Sequence, residues 1–209
     1  MKLKSLLFTL ALGGMMVACT ANQAEEATEK KCDTGKVVLD NIMTRKSVRQ
    51  FTQQPIEKDT IDLLLKAAMA APSAVDARPW EFVVITERPV LDALNAVHPY
   101  ANLKTATAAI VVCGDMTIAD EKYHGNREYW VQDCCAATEN ILLAAHGLGL
   151  GAVWCGVYPV EERVKSVSEV LGLPENILPL NVITMGYPDE NPDVKDKWNP
   201  AKIHWQKWN

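Results

Sequence analysis

Apolar residues show no period through the polar stretch Thr20 to Lys36 and become regular only from Val37 onward. Val37 to Thr44 predicts a helix. Glu57 to Ala71 predicts a second, opened by Pro55, Glu57 and Asp59 and closed by Pro72. Glu81 to Thr86 (EFVVIT) predicts a strand and Pro89 to Val97 a short helix. Ala108 to Cys113 (AAIVVC) reads as a buried strand, and Tyr129 to His146 as a long, strongly apolar helix. Gly151 to Val157 is strand-like, Val160 to Leu171 is an amphipathic helix, and Leu180 to Met185 (LNVITM) is another buried strand. Helices and strands therefore alternate around one core, with no repeat and no second domain.

The first residues follow a different logic. Met1 to Ala18 carries Lys2 and Lys4, an apolar run from Leu6, and small residues at its end, which is the pattern of a secretory signal. It is too short and one-sided for a spanning helix. Cys19 follows at once, and Met16-Val17-Ala18-Cys19 resembles the bacterial lipoprotein box, in which Cys19 is lipidated. The alternative is an ordinary cleaved signal with an incidental thiol. The expected organisation is a signal at 1–18, a lipidated Cys19 and flexible tether at 19–36, and a folded domain at 37–209. That places the domain in a bacterial cell envelope, held to the membrane by its lipid alone. Cys32 in the tether is free or pairs with another chain.

Composition narrows the class. The chain has 209 residues, 48% hydrophobic and 22% charged, which excludes disordered, collagenous and coiled-coil architectures. A net charge of -5 argues against nucleic acid as a partner. Cys113, Cys134, Cys135 and Cys155 lie in apolar segments without metal spacing and read as small buried hydrophobes. His98, His124, His146 and His204 form no metal-ligand spacing either, so no metal site is expected.

Four segments carry candidate chemistry. Arg45-Lys46-Ser47-Val48-Arg49 offers three cations and a hydroxyl, either to a phosphate or to solvent. Ala71 to Phe82, with two prolines, reads as an extended, rigid loop between a helix and a strand. In Gly147-Leu148-Gly149-Leu150-Gly151 the glycines end a helix and enter a strand. That order and the G-x-G-x-G spacing exclude a dinucleotide fingerprint, while Gly156 offers a bare backbone N–H. The tail from Gly186-Tyr187-Pro188 to Trp208 is rich in Pro and Trp, with Lys195 and Lys197 on one side of an extended stretch. Its aromatic surface calls for a partner or for the body of the domain.

Taken in order, R-x-S-x-R, A-P-S-A-x-x-x-x-P-W-x-F, L-G-L-G-x-x-W and G-Y-P-x-E-x-P resemble the nitroreductase family of FMN-dependent oxidoreductases, over Asn41 to Trp208. The resemblance implies an α+β fold, with a mixed, mainly antiparallel sheet sandwiched by helices, in an intertwined homodimer with two interfacial FMN sites. It assigns Arg45, Lys46, Ser47 and Arg49 to the FMN phosphate and ribityl chain, with Lys195 and Lys197 as a second basic pair. Pro72 and Ser73 of the opposite subunit would lie along the flavin ring. Cys155 and Gly156 would offer main-chain contacts near its N5 and O4. Where the family has Asn-x-Gln, this chain has Asp76-Ala77-Arg78: an ionised Asp76 cannot donate to a flavin carbonyl, and Arg78 either offsets its charge or bonds it. The implied reaction is a ping-pong transfer through FMN to a nitroaromatic, quinone or similar small acceptor. The alternative is a non-catalytic, tethered flavin carrier. An envelope location would also remove the domain from the cytosolic NAD(P)H pool and call for an envelope-side donor. Ile118 to Trp130 reads either as a lid over the flavin or as a surface loop entering a helix.

Overall fold

The computed structural model describes residues 33–208; the expectations for the signal, Cys19, Cys32 and most of the tether lie outside these residues. Helix α1 (Thr34–Thr44) begins three residues before Val37, and an i,i+4 Lys36–Asp40 ion pair at 2.6 Å spans its first turns. Then follow α2 (Lys58–Met69), β1 (Trp80–Ile85), α3 (Arg88–Val97), β2 (Ala108–Asp115) and α4 (Met116–Lys122). The chain continues through α5 (Tyr129–Gly147), β3 (Gly151–Gly156), α6 (Glu161–Leu171) and β4 (Ile177–Gly186).

The four strands form one antiparallel sheet in the order β1-β2-β4-β3. The expected helix-flanked, mainly antiparallel sheet is what the structure has. Its parallel component is a single bridge, Ser47 to Ala152. The AAIVVC run explains the layers. Ala108, Ile110 and Val112 pack under α2 and α5, whereas Ala109, Val111 and Cys113 pack under α3 and α6. A strand covered on both faces favours apolar side chains at every position, and admits a polar one only where it is hydrogen-bonded, as Asn181 and Thr184 are on β4. Cys113 and Cys134 are fully buried among these layers, and burial pushes the Cys113 thiol up to about 12, so both are packing residues.

Ile118 to Trp130 does not form a lid. It contains most of α4, a turn and the start of α5, and two of its three large aromatic side chains, Tyr123 and Trp130, face inward, while Tyr129 is exposed. Trp130 is 1% exposed and Tyr123 3%. The Trp130 ring lies on Gly114, where an added Cβ would stand 2.4 Å from it, and meets Tyr158 edge-on at 5.0 Å. Burial of that much aromatic surface fixes the segment to the body.

Two other glycines matter more. Gly151 and Gly186 are direct partners across β3 and β4, so their missing side chains would project from the same face. Val48 and Phe51 occupy that space: an added Cβ would stand 2.7 Å from Val48 Cγ1 at Gly151, and 2.8 Å from Phe51 Cβ at Gly186. The bare pair lets the segment after α1 lie directly on the sheet. Gly151→Ala or Gly186→Ala therefore costs about 1–3 kcal/mol by overpacking, read as a lower urea midpoint with an unchanged slope.

Candidate functional site

The segment seated on those glycines is the basic one. Val48 donates its N–H to the Ala152 carbonyl at 3.1 Å, which adds the segment to the open edge of β3. Its other side is stitched to the tail. Thr52 N–H reaches the Tyr187 carbonyl and Asp189 N–H the Gln50 carbonyl, each at 2.9 Å. The Glu190 carboxylate accepts from the Arg49 and Gln50 N–H groups, and Lys46 Nζ donates to Asn191 Oδ1. G-Y-P-x-E-x-P is thus a backbone partner for R-x-S-x-R, and each orders the other.

A groove of about 820 Å³ results, lined by Arg45, Lys46, Ser47, Arg49, Lys195 and Lys197. Glu139, Asp193 and Asp196 also line it, and Glu139 pairs with Arg45 at 3.3 Å. Cations still dominate its floor. His146, whose Nε2 lies 2.9 Å from Thr44 Oγ1, reports the field: burial depresses its pKa first, and Arg45 and Lys46 depress it further.

A second cavity of about 210 Å³ opens at the end of β3, between Arg49, Cys155, Gly156, His98, Tyr100, Asn102 and Arg163. Arg49 lines both cavities. Gly156 is exposed, and an added Cβ would meet nothing within 4 Å, so the strand ends in open backbone. Cys155 contributes main chain only: its thiol is buried, donates to the Ala101 carbonyl at 3.4 Å, and has its pKa raised by burial. Arg163 donates to the Gly156 carbonyl at 3.3 Å and sits 5.5 Å over the Tyr100 ring. His98 is 2% exposed and neither ring nitrogen has a hydrogen-bond partner among the described residues. Burial, then Arg163, lowers its pKa, while the Gly156 carbonyl pulls the other way. His98, Tyr100, Asn102 and Arg163 carried no motif; only the fold brings them to Gly156.

Pro72, Ser73, Asp76 and Arg78 line neither cavity. Their loop is coiled rather than extended. Ala74–Asp76 forms a short helical turn, with Val75, Asp76 and Arg78 at positive φ (47°, 54° and 50°). The left-handed region is costly for such side chains. Asp76 and Arg78 bond each other as a fork, both contacts at 2.6 Å, which holds the Asp76 carboxyl below its ordinary range.

A four-stranded antiparallel sheet flanked by helices, with a cationic groove and a second cavity at an open strand end that share Arg49, defines an α+β protein with two adjacent cavities. Its relatives give the family. The model of the nitroreductase family matches residues 42–101 and 95–187. The "Putative NADH dehydrogenase/NAD(P)H nitroreductase" of Methanothermobacter thermautotrophicus is 49% identical over 172 residues, covering 82% of this chain and 87% of that one. A crystal structure of the same description from Bacteroides thetaiotaomicron superposes with a TM-score of 0.78 at 49% identity, over 84% of this chain and all of that one. An FMN-dependent nitroreductase from Clostridium difficile aligns at 30% identity and a TM-score of 0.73, over 81% and 99% of the two chains. The chain belongs to the nitroreductase family and is an oxidoreductase of that family.

Two titrations check the electrostatics. Saturating the groove with inorganic phosphate cancels part of the cationic field, so the NMR pKa of His146 rises. The Asp76 carboxyl titrates below the ordinary range in the parent and moves up towards it in Arg78→Ala. The pairing is present at neutral pH and is lost as pH falls through the folded pKa.

Proposed function

We propose that this chain is a homodimeric, FMN-dependent oxidoreductase that reduces nitroaromatics, quinones or similar small acceptors by a ping-pong cycle. One observation carries the reading: cations from both ends of the domain meet in one groove, and Arg49, which lines it, also lines the cavity at the open backbone of Gly156. Arg49 would thus stand between the phosphate and the ring of one ligand.

In this reading Arg45, Lys46, Ser47, Lys195 and Lys197 hold the FMN phosphate and ribityl chain through charge-assisted bonds. Arg49 and the main chain of Cys155 and Gly156 address the ring. FMN supplies the hydride and electron chemistry. The protein's own part is to bind, orient and exclude water.

The other wall comes from a second copy, whose Pro72–Ser73 turn would cover the ring. Exposed apolar residues support a dimer. Val37, Val38, Leu39, Ile42 and Met43 of α1 are all between 47% and 71% exposed, and Trp198, Trp205 and Trp208 are more so, at 72%, 75% and 83%. A monomer seldom leaves so much apolar surface in water. We further propose that Cys19 is the lipid anchor and that the domain works in the cell envelope.

An absorbance spectrum of the purified chain tests the central claim: flavin bands, at one FMN per chain, are expected, and their absence after FMN addition overturns it. The double variant Lys195→Ala/Lys197→Ala should weaken FMN binding by about tenfold or more, with a shallower salt dependence. Oxidation of NADH or NADPH at ordinary enzymatic rates assigns nicotinamide as donor, in keeping with the relatives' names; quinol-driven reduction without it assigns an envelope donor. Bound FMN that no quinone or nitro compound reoxidises assigns the carrier reading instead.

A further inference from the structure

We infer that Asp133 is a positioning residue, whose buried carboxylate holds the Ala74 amide and so sets the Pro72–Ser73 turn where it can cover the flavin of a second copy. The inference rests on the functional reading above and adds to it the group that shapes the covering turn.

Asp133 lies near the start of α5 and is 5% exposed. A buried carboxylate persists only if hydrogen bonds replace its lost water. Here the Ala74 N–H donates to Oδ1 at 3.0 Å and to Oδ2 at 3.1 Å, and the Tyr123 phenol donates to Oδ2 at 2.6 Å. Burial and then Asp133 itself raise the Tyr123 pKa, so the phenol remains a neutral donor. Among the described residues no cation pairs with Asp133. Such a group is a poor way to gain stability, since apolar residues would fill the space at less cost. It is a good way to fix one backbone N–H in space.

That N–H is well chosen. Within residues 73–78 the other hydrogen bonds close inside the turn: Asp76 N–H to the Ser73 carbonyl, Ala77 N–H to the Ala74 carbonyl, Arg78 N–H to Ser73 Oγ, and the Arg78–Asp76 fork; the next link to the body is Pro79, whose carbonyl accepts from the Asp115 N–H at 2.7 Å. Ala74 links this self-contained turn to the body and adjoins both Ser73 and the left-handed Val75. Backbone in that conformation persists only where its surroundings over-determine it. Tyr123, at the end of α4, is in turn kept inside by the packing that rules out a lid.

The test uses the full-length chain with Asp133→Ala, Asp133→Asn and Tyr123→Phe, and Ile141→Val as a core control on the same helix. Hydrogen exchange at the Ala74 amide is measured without flavin, and FMN affinity by fluorescence titration. Asp133→Ala should speed Ala74 exchange and weaken FMN binding, each by about tenfold. Asp133→Asn, which keeps an acceptor for Ala74, should restore both, and Tyr123→Phe should fall between. Ile141→Val should leave FMN affinity unchanged. The inference is overturned if Asp133→Ala leaves FMN affinity within about twofold of the parent, or if Ile141→Val weakens it equally. It is also overturned if Asp133→Asn behaves like Asp133→Ala. Should Asp133→Ala not fold, Tyr123→Phe decides: parental exchange and affinity in that variant reject the inference. A parent that binds no FMN rejects it together with the functional reading, whereas a binding parent with an unaffected Asp133→Ala rejects the inference alone.

Discussion

The close approach of Val48 and Phe51 to the bare backbone of Gly151 and Gly186 is the contact on which the candidate site depends. A sheet edge normally keeps a neighbouring chain at the distance its side chains dictate. Removing both members of one cross-strand pair lets a whole segment settle lower, within reach of the Ala152 carbonyl. From that seat the segment turns Arg45, Lys46 and Arg49 towards the tail, and its backbone pairs with residues 187–190. Without the glycine pair the same cations would sit on an unattached loop, with no fixed spacing to Lys195, Lys197 or Gly156.

Charge is arranged locally rather than globally. The chain is acidic overall, yet the groove gathers cations whose field adds to burial in lowering the pKa of the nearby His146. The loop after α2 does the reverse. There Asp76 and Arg78 cancel each other in a fork, so the turn carries little net charge of its own. The cationic groove and the near-neutral turn are built by separate elements.

Legibility in the sequence followed how local each cause was. AAIVVC announces a strand buried on both faces; prolines at their ends mark α2 and α3, a long apolar run marks α5, and amphipathic spacing marks α6. The basic segment and the lysine pair were readable as residues, but not as neighbours, because backbone pairing between distant segments leaves no periodic trace. Gly151 reads as a strand entry and does open β3, but its register against Gly186 exists only once the sheet forms. Tyr123 and Trp130 looked like parts of a possible lid until their burial against Gly114 and Tyr158 fixed them inward. Val75, Asp76 and Arg78 gave no sign of left-handed backbone, since none is a glycine. His98 and Arg163 were silent because two separate elements have to meet at Gly156.

The stitching of the two ends has a consequence for the order of events in the cell. Lys46 and Asn191 are 145 positions apart, and Lys195 and Lys197 lie further still. The inner strand β4 ends at Gly186, so the middle of the sheet and the tail that walls the groove are both completed in the last stretch of chain to be made. An anion held in the groove therefore meets its full set of cations only when nearly the whole chain exists.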